Sequence, residues 1–301
     1  CKKRDLHIVD GKIASIKPTI TGNDKTRVIR QASLCVSPGW FDMCANFCDP
    51  GTEFKEDMNS GLNAAARGGF TGVLVSPATE PPIDSKSGVE YLLKKGKGHI
   101  TETFAQGTIS QGMHGLQLSE MMDMSTNGAK AFGDYKNSIE SSELMNRALE
   151  YSKNCGTPII TFPLDPGMSP EGVMHEGAVS VSLGLKGMSC SSEEIRVQRD
   201  VDILRYTGGH LHILAISTGK SAEIVRQAKK EGLKLTCGIA AHQLAFTDRD
   251  LDTFDTRLKV NPPFRTSKEK LDLIRALKDG TIDVIISDHS PHDVENKKRE
   301  F

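Results

Sequence analysis

Eight short apolar runs, most of them followed by a helix-like stretch, constrain the fold of this chain more than any other feature. The runs cover residues 40–47, 72–76, 103–108, 129–132, 158–164, 211–216, 234–240 and 283–287. Runs of this length read as strands buried in a parallel sheet. Helix-like stretches lie between most of them, for example 60–67, 143–153, 221–231 and 267–278. The last two end at Gly232 and Gly280, the usual punctuation of a helix C-terminus. Eight strands alternating with helices predict an α/β fold, a TIM-like (β/α)8 barrel over residues 37–301. Chemistry in that fold sits at the C-terminal ends of the strands, so the residues closing each run are the ones to examine.

The first 36 residues have a different pattern and predict a small β module. Its runs include 6–9 and 27–30, and Asp10-Gly11 separates the first from 12–16, as in a hairpin. The module is expected to be completed by residues beyond the ends of this chain. A net charge of -1 gives no reason to expect nucleic acid or a membrane surface as partner. No run of about 18 apolar residues is present to span a bilayer. The first ten residues lack the form of a signal peptide. Seven cysteines, scattered and odd in number, read as reduced thiols of a cytoplasmic protein.

The end of the first run reads Pro38-Gly39-Trp40-Phe41-Asp42-Met43-Cys44-Ala45-Asn46-Phe47-Cys48-Asp49-Pro50-Gly51. This resembles the signature P-G-x-x-D-x-H-x-H-x-R-D-P-G of the dihydroorotase family, within the amidohydrolase superfamily, with its catalytic letters changed. Further segments resemble the family in its own order. They are Gly128-Ala129-Lys130-Ala131-Phe132-Gly133-Asp134, the stretches 176–180 and 183–187, Arg199-Asp200, and Ile216-Ser217-Thr218. Lys259-Val260-Asn261-Pro262-Pro263-Phe264-Arg265 and Ser287-Asp288-His289-Ser290-Pro291-His292 complete the series.

The resemblance implies two metals, usually zinc, held by the H-x-H pair, two more histidines and an aspartate, with a bridging carboxylate in many members. Such metals make the hydroxide that opens the cyclic amide, because water needs its pKa brought from 15.7 to about 7. Here the H-x-H positions are Cys44 and Asn46, and the two later histidine positions are Phe162 and Ala215. Cysteine can still ligate zinc, asparagine is a poor ligand, and the other two offer no lone pair. The arginine for the substrate carboxylate falls on Cys48, and the asparagine after the second strand falls on Ala78. Retained are Asp134 at the bridging position, Lys130 where other members carry a carboxylated lysine, and Asp288 as the proton-shuttling aspartate. Asn261 and His292 match substrate contacts.

Other residues do not obviously rebuild the centre. Cys44 and Cys48 lie about 13 Å apart along a straight strand, too far for one zinc. His210 and His212 have the opposite parity to Ala215 and are expected to point away from the old site. Each survivor also has an ordinary explanation: Asp288 as a turn cap, Asn261 as a turn residue, Lys130 as a plain lysine, the cysteines as core filling. The run Lys297-Lys298-Arg299 reads as a solvated helix face. The expectation is a catalytically inactive dihydroorotase homologue in pyrimidine biosynthesis, without metal or cofactor. Its partners would be further copies of itself, aspartate transcarbamoylase or an active dihydroorotase. The alternative is an active cyclic amidohydrolase with an atypical zinc site. A third reading is a mouth that holds another small molecule without turnover, made more apolar by Phe162 and Ala215.

Overall fold

The computed structural model describes residues 3–299 and Phe301, in two compact units that part between Pro38 and Gly39. In the smaller unit β1 (Asp5–Val9) pairs antiparallel with β2 (Lys12–Lys17). Asp10 (φ 50°) and Gly11 (φ 73°) both take left-handed backbone, as a two-residue hairpin turn demands. Residues 27–30 form no strand.

The larger unit is the (β/α)8 barrel. Its strands are β3 (Trp40–Ala45), β4 (Phe70–Val75), β5 (Glu102–Gly107), β6 (Ala129–Phe132) and β7 (Ile159–Thr161). After a separate two-stranded pair, β8 (Met174–His175) with β9 (Gly187–Met188), come β10 (Leu211–Ile213), β11 (Leu235–Ala240) and β12 (Val284–Ile286). The eight are hydrogen-bonded in chain order, all parallel, from β3 to β12. A parallel bridge between Ala45 and His289 joins the first strand to the segment after the last and nearly closes the ring. Around it run α1 (Met58–Arg67), α2 (Lys86–Gly96), α3 (Met121–Thr126), α4 (Ser142–Cys155), α5 (Ala178–Leu183), α6 (Ser191–Thr207), α7 (Gly219–Lys230) and α8 (Ser267–Lys278). The short α9 (Val294–Lys297) follows the last strand. Gly232 and Gly280, at φ 81° and 79°, stand just beyond the last turns of α7 and α8.

Alternation along the strands divides the interior in two. Residues such as Val73, Ala105, Ile159, Ile213 and Ile239 pack outward against the helices. Leu74, Ala131, Ile160, Leu214, Ala240 and Ile286 face inward and fill the barrel. A packed interior of this kind holds the ring's shape while its loops vary, which is why the site must be sought at the mouth.

Candidate functional site at the barrel mouth

The strand ends bring most of the matched positions to one place. Cys44 lies near the end of β3, 2% exposed, with its thiol 3.9 Å from Asp288 Oδ1 beyond β12. Burial and the Asp288 carboxylate push the Cys44 thiol well above its ordinary pKa, so it is protonated at neutral pH. Phe162 and Ala215 are buried and belong with Cys44 to the cluster that fills the barrel. Asn46 donates its backbone N–H to His289 O (2.9 Å), and its side-chain oxygen accepts the Cys48 N–H (3.0 Å). Cys48 is buried in the following loop at φ 59°, a left-handed conformation a β-carbon disfavours.

The retained carboxylates are both occupied by the protein. Asp134, just after β6 and 2% exposed, accepts the N–H groups of Ile109 (2.7 Å) and Ser110 (3.1 Å) and the Ser110 hydroxyl. Burial raises its pKa while those donors oppose the rise. Asp288 Oδ2 receives the ammonium of Lys136 at 2.8 Å, and both side chains are largely covered. Lys136 reaches Asp288 from the loop after β6, the fourth strand, across to the eighth. Reading the sequence by motif stops at Asp134 and misses it; the only signal is that Lys136 lies two residues past a matched segment.

The remaining matched positions are Lys130, Asn261 and His292. Lys130 is exposed on β6, and no hydrogen bond or ion pair among the described residues joins it to Asp134 or Asp288. Asn261 sits before a cis bond to Pro262, with its side-chain oxygen buried and without a hydrogen-bond partner; the same holds for Nε2 of His242. His292 is exposed, and partial burial together with Lys297 and Lys55 lowers its pKa.

His210 and His212 need a correction. The expected parity fails because the alternation breaks after Ile213: Leu214 and Ala215 both join the inner cluster. Leu211 and Ile213 pack outward, so His212 faces the inside of the barrel, but near the strand starts among Asp283, His210 and Lys229 and not at the mouth. It is buried and hydrogen-bonded through Nδ1 to Thr236 Oγ1 (2.8 Å), and burial brings its pKa down to about 4. His210 is exposed.

Several matched motifs are scaffolding. Glu193, buried at the start of α6, accepts the N–H groups of Ser217 (2.9 Å) and Thr218 (3.1 Å) after β10. Arg265 donates to Ser217 Oγ (3.0 Å) and to Met188 O (2.6 Å). Asp200, buried in α6, accepts from Thr161 Oγ1 (2.9 Å) and from Arg199 Nε (2.9 Å). These bonds tie α6 to β7 and to the loop after β10, and Arg265 ties that loop to β9.

The donor set at the mouth does not fit the metals that the resemblance implies. Of the positions that the resemblance matches to ligands, Phe162 and Ala215 carry no donor atom, and Asp134 spends its lone pairs on a loop. Asp288 faces an ammonium, which repels a metal cation placed on the same carboxylate. Among the described residues, no group of three or more histidines, cysteines or acidic residues is disposed to hold an ion.

The comparisons agree with the geometry of the scaffold. A model of the family described as Dihydro-orotase-like matches residues 34–221. The chain is 40% identical to the dihydroorotase of Geobacter metallireducens and 41% identical to that of Geobacter sulfurreducens. Each alignment covers 99% of this chain and 70% of the relative. Its fold is similar to that of an L-hydantoinase (dihydropyrimidinase) from Arthrobacter aurescens, with a TM-score of 0.80 at 22% identity. That similarity covers 99% of this chain and 68% of the other.

Proposed function

The chain belongs to the dihydroorotase-like family, and we propose that within it this barrel is a non-hydrolytic member kept for assembly. The observation that carries the proposal is the pairing of Asp288 with Lys136 at 2.8 Å, in a mouth whose other ligand positions are Cys44, Asn46, Phe162 and Ala215. Hydroxide formation at neutral pH needs a strong Lewis acid or a competent base beside the water. Neither is supplied by a buried thiol, a phenyl ring, a methyl group and a carboxylate paired with an ammonium. A barrel stable without its metals still presents its outer helices, so such a chain serves by contact. The contact would be with copies of itself, an aspartate transcarbamoylase or an active dihydroorotase, in the cytoplasm. No helix among the described residues is long and apolar enough to cross a membrane.

A second reading is favoured by a specific observation. The relatives that match 99% of this chain at 40–41% identity carry the name dihydroorotase, and Asp134, Asn261, Asp288 and His292 are present. On the relatives alone, an active cyclic amidohydrolase is the stronger reading; the donor chemistry at the mouth is what supports the first.

Elemental analysis of protein prepared with zinc and without chelator, together with a dihydroorotate hydrolysis assay, separates the two. The expected result is far less than one metal per chain and no turnover above background. One or two metals per chain, with turnover abolished by Asp288→Ala, would establish the second reading instead.

A further inference from the structure

The segment after β6 does more than contribute Lys136. It crosses the mouth. Asp134 anchors it on the loop after β5 through Ile109 and Ser110. Beyond Lys136, the Ser138 hydroxyl donates to Phe162 O (2.6 Å) and accepts the Leu164 N–H (3.1 Å), anchoring it beyond β7. Between these anchors, Lys136 makes its ion pair with Asp288, which follows the strand diametrically opposite β6. Tyr135 packs against the cluster that fills the barrel, and its buried hydroxyl lies among Cys44, Asp288 and Ser290. Tyr135 and Asp288 take φ of 52° and 56°, left-handed conformations that cost a non-glycine residue energy and persist only where surrounding contacts hold them. Left-handed backbone thus lies at Asp288 and at the residue just before Lys136, beside both partners of the ion pair.

We infer that Tyr135 and Lys136 form a built-in plug, which fills the barrel mouth with a phenol ring and supplies in its ammonium the counter-charge of Asp288. The inference rests on the metal-free reading above, because a cation on Asp288 and the ammonium of Lys136 compete for one carboxylate. Its consequence is steric as well as electrostatic. A small molecule enters the mouth only when Lys136 leaves Asp288 and Tyr135 swings off Cys44. The mouth is therefore closed by the chain's own covalently attached occupant, against which a free ligand must compete.

Thiol accessibility in the full chain tests this. Cys44 lies beneath the plug, whereas Cys237 is fully buried on the outward face of β11 and reports general opening. The rate of iodoacetamide labelling at each is read by peptide mass spectrometry, and the ratio of Cys44 to Cys237 is the measured quantity. Tyr135→Ala is expected to raise that ratio at least tenfold. Lys136→Met, which keeps the bulk of the side chain and so the fold, is expected to raise it severalfold. An unchanged ratio in Lys136→Met overturns the plug, whatever the alanine variant does. The same measurement on the unsubstituted protein with a chelator separates the two levels of argument. Unmasking of Cys44 by chelator alone means that a bound metal covers it, and the metal-free reading falls. Chelator without effect, alongside an unchanged ratio in Lys136→Met, defeats the plug and leaves that reading standing.

Discussion

Asp134, at the position that the resemblance matches to a bridging carboxylate, is held by its neighbours like a structural residue. Its carboxylate accepts three donors from the loop after β5 while almost fully buried. Removing it strands those donors away from water, and each unsatisfied group costs on the order of 1–3 kcal/mol. Asp134→Ala is therefore expected to lower stability by about 3 kcal/mol, seen as a lower urea midpoint. A bridging metal ligand that had lost its metal would instead relieve charge and leave the midpoint unchanged or higher. His212 offers a second test at this scale. Its folded pKa of about 4 lies below its ordinary 6.5, so the unfolded chain binds the extra proton first. Its contribution is whole above pH 6.5 and is lost as pH falls from 6.5 through 4, a total of about 3 kcal/mol. His212→Gln should flatten that part of the urea midpoint against pH curve; a curve of unchanged slope would show that His212 is not buried neutral.

Among the elements, α1 illustrates what holds the loops of the mouth in place. Gly61 on α1 faces Phe47, and a β-carbon there would lie 2.2 Å from the ring. Phe47 belongs to the loop that carries Asn46 and Cys48, so the close approach of helix and ring sets the path of that loop. Gly61→Ala is expected to cost about 1–3 kcal/mol through overpacking, measured by urea denaturation. The strands were legible in sequence because apolar runs report burial directly, and residues 129–132 form β6 as expected. Their ends were less so. The runs 158–164 and 211–216 close early, at Thr161 and Ile213, where the chain leaves the ladder. Periodicity also misjudged His212, because it assumes a regular strand through the break after Ile213. At the site, the segments that resemble the family's motifs could be picked out in the sequence. Lys136 could not, since an ion pair spanning 152 residues leaves no local pattern.

For the whole molecule the question is what the barrel's stability depends on. Its interior is filled by Leu74, Ala131, Ile160, Phe162, Leu214, Ala215, Ala240 and Ile286, with Cys44 at the top, and no layer of that packing calls for an ion. In a barrel built around bound metals, occupancy is linked to folding. An ion present at a thousand times its Kd stabilises by about 4 kcal/mol. At roughly 2 °C per kcal/mol for a domain of this size, stripping the ion would lower Tm by about 8 °C. On the reading proposed above, the charge that such an ion would supply comes from Lys136 and cannot be dialysed away. Overnight chelation followed by a thermal scan is therefore expected to leave Tm within about 1 °C of the untreated protein. Lys136→Met, which leaves Asp288 a buried charge without its partner, should lower Tm by several degrees at the same pH. The opposite pattern, a chelator-sensitive Tm and an indifferent Lys136→Met, would mean that the cation at the barrel mouth is a metal after all.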